Sequence, residues 1–362
     1  MSLELKNVSM EVDGKTHIYN TNLKLEKGTM NVLLGRTLSG KTTLMRIMGG
    51  LDVPTSGRVY FEGVDVTGMR VQDRKIAMVY QQFINYPSLS VYDNIAIPLR
   101  IMKKDEKQIK EAVLKTAKLM KLDDILDKKP LELSGGQQQR CALARSLVKG
   151  SGLVLLDEPL ANLDYKLREE LREEIPKIFK ESGSIFVYAT TEPEEALLLG
   201  GNVAILWEGK ITQFGKTKDV YHNPKNISTA KVFSNPAMNF LKIEKKNGFI
   251  YYGNGEKVAA TEALEDLEDS KYIAGFRPNH LELKPPKGNV IKFHAHLDIT
   301  EITGSQTFLH MKYGNDSWIG LMHGIHDLEY DRQIQIYLDV KHIFIFSQDG
   351  NLVKTASYVG KR

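Results

Sequence analysis

Hydrophobic and polar positions change rhythm along the chain. Up to about residue 230, short apolar runs alternate with stretches of helical period: residues 30–34 precede 42–48, and 153–156 precede 163–180. Such alternation predicts a mostly parallel sheet with helices packed on it. After Pro236 the helical signals fade. Short strand-type runs follow at 249–252, 291–297, 307–311 and 334–338, punctuated by Gly, Asn, Asp and Pro. These predict a small all-β module, with the boundary near 233–239 and domains at 1–232 and 233–362.

Two helices can be read in more detail. In 105–120, Ile109, Ala112, Val113, Thr116, Ala117 and Met120 form an apolar stripe behind Asp105, a fitting N-cap. After Asp164, Leu167, Leu171, Ile175, Ile178 and Phe179 share a face. Pro176 lies inside that run, removes an amide donor and crowds the preceding turn, so a kink is expected there.

Composition narrows the picture. The 362 residues are 42% hydrophobic and 26% charged, with a mean hydropathy of −0.29, ordinary for a chain that buries real cores. No run approaches the ~18 consecutive apolar residues of a membrane-spanning helix. The opening MSLELKNVSMEVDGK has no apolar segment of signal-peptide type. A single cysteine, Cys141, excludes an internal disulfide and a multi-cysteine metal site, fits a reducing compartment, and reads as a small core residue. The net charge of +4 asks for no nucleic acid and no anionic membrane surface.

Candidate chemistry begins at residues 35–43, GRTLSGKTT, which fit G-x-x-x-x-G-K-[ST] between a strand run and a helix run. Gly35 and Gly40 permit backbone conformations that turn the amides of the loop (Arg36, Thr37, Leu38, Ser39) toward one anion. The helix starting near Lys41 adds the positive end of its dipole, over Thr42 and Thr43. Lys41 brings a full charge to the β- and γ-phosphates, and Thr42 a hydroxyl to Mg²⁺. Residues 153–159, LVLLDEP, read as a buried strand with Asp157 at its carboxyl tip, where open α/β sheets bind ligands. Alone, this is a strand end with two solvated carboxylates. Paired with the loop, Asp157 holds Mg²⁺ through water and Glu158 polarises the attacking water. A third element, LSGGQQQR at 133–140, turns into a helix-type run and forms a second anion-binding helix terminus. One triphosphate rarely needs two in one chain. A head-to-tail dimer that sandwiches ATP between one copy's loop and the other's Ser-Gly-Gly turn needs both.

With these motifs in this order the chain resembles the ATP-binding-cassette (ABC) family, whose signature is LSGGQQQR. The resemblance implies roles residue by residue. Gln81, in MVYQQF, matches the glutamine that contacts Mg²⁺ and the attacking water and senses the membrane partner. Asp164, in LANLD, matches the aspartate that crosses the dimer interface. Ser134, Gly135 and Gly136, followed by Gln137, match the signature residues that meet the γ-phosphate in trans. Residues 86–94 fall where the family receives the coupling helix of the membrane subunit. The segments FSNPAMNFL, GFRPNHLEL and EITGSQTFLH resemble the regulatory domain of maltose-type (MalK-like) importer ATPases, which helps dimerise the subunits. The implied fold is an α/β P-loop ABC ATPase core with a helical subdomain at about 86–150, followed by a C-terminal all-β, OB-like domain.

The chain departs from the family pattern in three places. The segment VYATTEPEEA puts Thr191 where the family has its switch histidine. The nine histidines are at 17, 222, 280, 294, 296, 310, 323, 326 and 342, so no shift of register within the core supplies one. Threonine donates a hydrogen bond but never becomes cationic. Val12 stands where the family stacks an aromatic ring on adenine, with Tyr19 a candidate substitute. Arg36 and Leu38 replace the usual proline and glycine, and Leu38 is expected at negative φ, reshaping the loop.

The resemblance therefore implies an ATPase using ATP and Mg²⁺, peripheral on the cytoplasmic face of the plasma or inner membrane. Its partners are integral-membrane permease subunits, a second ATPase subunit and, indirectly, an extracytoplasmic substrate-binding protein. A heterodimer in which this chain's own site is weakened is expected, with a homodimer as the alternative. The cradle and the YATTEP segment are similar to one of two paired ATPases of glycerol or glycerol-phosphate importers, which points to a carbohydrate, a polyol or its phosphate as cargo. The rival readings are a nucleotide-binding partner that does not hydrolyse, and a soluble ABC ATPase outside transport.

Overall fold

In the computed structural model the first part of the chain builds two sheets. The description covers residues 2–360 apart from 82–83, 162, 164, 254 and 262–263. The elements run β1 (Ser2–Val12), β2 (Lys15–Glu26), β3 (Met30–Gly35), α1 (Lys41–Gly49), β4 (Ser56–Phe61), β5 (Val64–Asp65) and β6 (Ile76–Val79). Three helices follow, α2 (Val91–Ile101), α3 (Glu106–Leu119) and α4 (Gly135–Leu147). Then come β7 (Leu153–Asp157), α5 (Tyr165–Ser182), β8 (Ile185–Thr190), α6 (Pro193–Leu199), β9 (Asn202–Trp207) and β10 (Lys210–Lys216).

An antiparallel sheet is ordered β2-β1-β4-β5. Its first hairpin closes through Asp13 and Gly14, at φ 50° and 72°, the positive-φ pair that a two-residue turn matching strand twist requires. The second sheet is ordered β10-β9-β3-β8-β7-β6 and is parallel except at β9/β10. All residues of β3, β7 and β8 are buried, as parallel strands covered on both faces must be. The core between the two sheets joins Leu3, Leu5 and Leu25 to Leu33, Leu155 and Val187, with Leu44 and Ile47 of α1 filling the space between.

α3 agrees with its sequence pattern: Asp105 accepts from the amide of Gln108 at 2.9 Å, and Ile109, Val113 and Ala117 are buried. α5 continues through Pro176 as one helix. Its buried Leu171, Ile175 and Ile178 hold it against the sheet, and proline's own φ is helical, so the element is not ended there.

The compact units divide at Thr217/Lys218, earlier than the expected 232/233. The helices α7 (Thr217–His222) and α8 (Ile227–Val232) explain the difference. Ala230 packs with Met238, Phe344, Phe346 and Ala356, the amide of Ile227 donates to Gly350 O at 2.9 Å, and Arg277 donates to Tyr221 O at 2.6 Å. The rest of the second unit is β11 (Asn239–Lys246), β12 (Phe249–Tyr252), β13 (Glu256–Ala259), β14 (Ser270–Phe276), β15 (Leu281–Glu282), β16 (Val290–Ile302), β17 (Gln306–Tyr313), β18 (Asp316–His323), β19 (Arg332–Asp339), β20 (Phe344–Phe346) and β21 (Leu352–Lys354). They form two antiparallel sheets, β13-β12-β11-β14-β20-β21 and β15-β19-β16-β17-β18. Trp318 is at the centre of their shared core, with Phe276, Phe293 and Tyr313 rings at 5.0, 4.9 and 4.7 Å and its indole N–H on Phe240 O at 3.1 Å. Among the described residues, no helix is long and apolar enough to cross a membrane.

Candidate active site

The register of the parallel sheet sets the site. Leu34 of β3 is level with Thr190 of β8, and Asp157 of β7 is level with Ala189. The carboxyl ends of three adjacent strands therefore deliver the loop after Gly35, the pair Asp157–Glu158, and Thr191 to one edge.

The loop is tightly specified. A Cβ on Gly35 would stand 2.4 Å from Ser39 Oγ and 2.7 Å from Leu206 O. Gly40 has φ 103°, and a Cβ there would meet Ile18 at 2.8 Å. Ser39 N–H closes the turn on Arg36 O at 3.1 Å. Leu38 is at φ 64° and 97% exposed. The expectation of negative φ is thus overturned: the loop keeps a left-handed residue there, with the leucine side chain in solvent. Arg36 lays its guanidinium 5.4 Å from the Trp207 ring. α1 starts without a side-chain cap or an acidic residue in its first turn, which leaves its first amides available to an anion.

Lys41 is 4% exposed and donates to Gly35 O at 2.9 Å and Arg36 O at 3.1 Å. Its Nζ is also 3.1 Å from Glu158 Oε1. Glu158 has φ 45° and anchors its amide on Ala189 O at 3.0 Å. Burial pushes the Asp157 carboxyl above its ordinary value; the Thr42 hydroxyl bonded to it pulls the other way, Glu158 adds to the rise, and Lys41 opposes it. Asp157 Oδ1 is buried with no hydrogen-bond partner. An orphaned carboxylate oxygen beside a hydroxyl is a donor set that fits a hard divalent cation.

Lys41, Thr42, Thr43, Thr37, Leu38, Gly40, Gln81 and Glu158 share one cleft of about 580 Å³. Its other wall is Lys15, Thr16, His17, Tyr19, Glu208 and Gly209. Val12 ends β1 opposite Lys15 and is 38% exposed. Tyr19 lies against the cleft, with Lys210 Nζ 4.6 Å from its ring. Composition marks none of these wall residues, and strand alternation, which puts His17 and Tyr19 on one side of β2, was the available signal.

Thr191 is exposed just beyond β8. The signature turn is not part of the Lys41 cleft lining. There Ser134 caps α4 reciprocally with Gln137, at 3.0 and 3.4 Å, Gly135 has open space around it, and Gly136 is buried. Asp164 lies outside the described residues. Cys141 is buried, and its thiol is pushed up to about 11.

The ABC transporter family model matches residues 18–161. Over 351 residues the chain is 33% identical to the trehalose/maltose import ATP-binding protein MalK of Thermococcus litoralis, covering 92% of this chain and 94% of that one. The chain belongs to the ATP-binding-cassette transporter ATPases, in the maltose-type importer group. The sn-glycerol-3-phosphate import ATP-binding protein UgpC of Vibrio cholerae is 32% identical, over 96% of this chain and 94% of its own length. A dimeric ATP-binding cassette in a post-hydrolysis state, bound to ADP and Pi, is similar in structure at a TM-score of 0.53 and 30% identity, over 59% of this chain and 98% of that one. As a member of this group the protein is an ATP-binding ATPase, with an α/β core and an all-β C-terminal region.

Proposed function

We propose that this ABC ATPase drives an importer for a carbohydrate, a polyol or its phosphate, as a peripheral subunit on the cytoplasmic face of integral-membrane permeases. Loop 35–43 and the first turn of α1 hold the triphosphate, and Lys41 gives its charge to the β- and γ-phosphates. Thr42, Asp157 and Gln81 hold Mg²⁺, which neutralises charge on the phosphate oxygens. A γ-phosphate competing for Lys41 frees the Glu158 carboxylate to accept a hydrogen bond from the attacking water. Positioning and charge stabilisation do most of the catalysis.

Ser134, Gly135 and Gly136 complete the cleft of a second ATPase subunit in a head-to-tail dimer, with Asp164 crossing between them. The groove of about 440 Å³ that includes Tyr80, Tyr86, Ile97, Ile101 and Arg145 supports permease docking, since Ile101 is 75% exposed and Tyr86 44%. The import proteins among the relatives support the cargo class; an extracytoplasmic substrate-binding protein completes the proposed importer.

The observation that carries the reading is an intact Lys41–Thr42–Asp157–Glu158 cluster on the same sheet edge as Thr191. Such a site holds ATP but lacks a titratable switch, so the chain is assigned to a heterodimer whose other composite site turns over faster. The test is steady-state ATP hydrolysis by the pure chain, by Thr191→His, and by the chain mixed with a second ATPase subunit. The expected order is a slow wild type, a histidine variant faster by ~10-fold or more, and a mixed complex faster still. Importer-level turnover by the wild-type chain alone would sink the heterodimer.

A further inference from the structure

Thr191 is held by a polar clasp that no catalytic motif includes. On its N-terminal side, Thr190 donates from its hydroxyl to Glu195 Oε2 at 2.6 Å and accepts the amide of Glu192 at 3.0 Å. On its C-terminal side, both carboxylate oxygens of Glu192 are taken: Arg168 donates to one at 2.9 Å and Arg172 to the other at 2.7 Å. Arg172 is also 3.5 Å from Glu195 Oε1, and Tyr188 donates to Glu195 Oε2 at 3.0 Å. Glu195 and Arg172 have side chains 5% and 14% exposed, so the bonds to Glu195 are shielded from water and costly to leave half-made, while Arg168 and Glu192, at 25% and 32%, form the outer side of the clasp. Arg168 and Arg172 are one turn apart on α5, on one face. The backbone of residue 191 is thus tied on both sides, and through Glu192 it is tied to α5.

The need for such a clasp follows from the side chain. A threonine hydroxyl is one bond from Cβ, so its reach is set by the backbone, and catalytic contacts tolerate errors of only about 0.5 Å. An imidazole at the same place has length and rotation to spare.

We propose that Arg168, Arg172 and Glu192 are positioning residues that hold the Thr191 hydroxyl in register with the γ-phosphate, so that α5 sets the switch position. This rests on the reading above that Thr191 occupies the switch position of the ATP site.

The test uses the full-length chain and Mg²⁺-ATP, reading the maximal single-turnover rate and the ATP concentration that gives half of it. Glu192→Gln keeps the size and removes the charge. It is expected to lower the rate about fivefold or more with half-saturation changed less than about twofold. Thr191→Ala is expected to lower the rate as well, and Glu192→Gln added to it to cost little more, since both act through one group. Arg172→Lys should retain more activity than Arg172→Ala. Arg168→Gln, which strips one arginine from Glu192, serves if Glu192→Gln folds poorly. Losses that multiply in the double variant, or a half-saturation that rises in step with the lost rate, overturn the clasp. A silent Thr191→Ala instead overturns the placement of residue 191 itself, so the two failures are separable.

Discussion

Leu38 shows how much a phosphate loop asks of single residues. A leucine at φ 64° brings its Cβ toward the neighbouring backbone and costs about 1–2 kcal/mol, and with 97% exposure it recovers nothing by packing. The conformation persists because its neighbours over-determine it: Gly35 admits Ser39 against the strand, and Gly40 turns the chain into α1. Leu38→Asn, which tolerates the left-handed region, is expected to raise stability by up to about 1 kcal/mol, seen as a higher melting temperature with ATP affinity retained. A lower melting temperature would mean that the leucine makes a contact worth more than the strain. Lys41 shows the opposite economy, since two loop carbonyls and Glu158 hold its ammonium in place.

At the scale of elements, local chemistry and packing share the work. α3 is readable from its sequence because everything that makes it is local: an Asp105 cap, a stripe at helical spacing, and no interruption. Asp105→Ala is expected to cost about 1 kcal/mol. Urea denaturation should record it as a lower midpoint with an unchanged slope; an unshifted midpoint would show that water satisfies the Gln108 amide equally well. α5 is readable only in part. Its apolar face is plain, and the helix continues past Pro176 with Leu171 and Ile175 buried before the proline and Ile178 after it. The arginines on its other face look like ordinary surface charge until β8 and α6 bring Glu192 and Glu195 against them.

For the whole molecule, the second unit contains a group that titrates with its fold. His280 stacks on His342 at 3.9 Å, with Tyr358 at 5.1 Å. Burial, then the neighbouring His342, Arg277 and Lys341, lower its pKa from 6.5 to about 3. The folded state therefore refuses a proton that the unfolded chain takes up near 6.5. Stability is full above that pH and falls as the pH drops toward about 3, by up to ~1.4 kcal/mol per pH unit for this one group. Melting of the second unit at pH 7 and pH 4.5 should show the loss, and His280→Asn should lessen it. A variant as acid-sensitive as the wild type would place the effect elsewhere.

The sequence by itself determined the elements that follow local rules. Period and capping specify α3, short apolar runs specify β3 and β7, and the glycine and lysine spacing of 35–43 specifies a phosphate loop, because a strand-to-helix turn of that kind has few backbone solutions. The order of the motifs sufficed to indicate the family. Tertiary structure alone decided what meets what. It bonded Thr42 to Asp157 and left Oδ1 open, put Tyr19 on the cleft wall, drew α7 and α8 into the second unit, and clasped Thr191 to α5. Each of these joins segments distant in the chain, or depends on burial created by the assembled sheet. Neither has a period in the sequence, since side-chain partners across a fold are chosen by register and packing, which exist only once the strands are aligned.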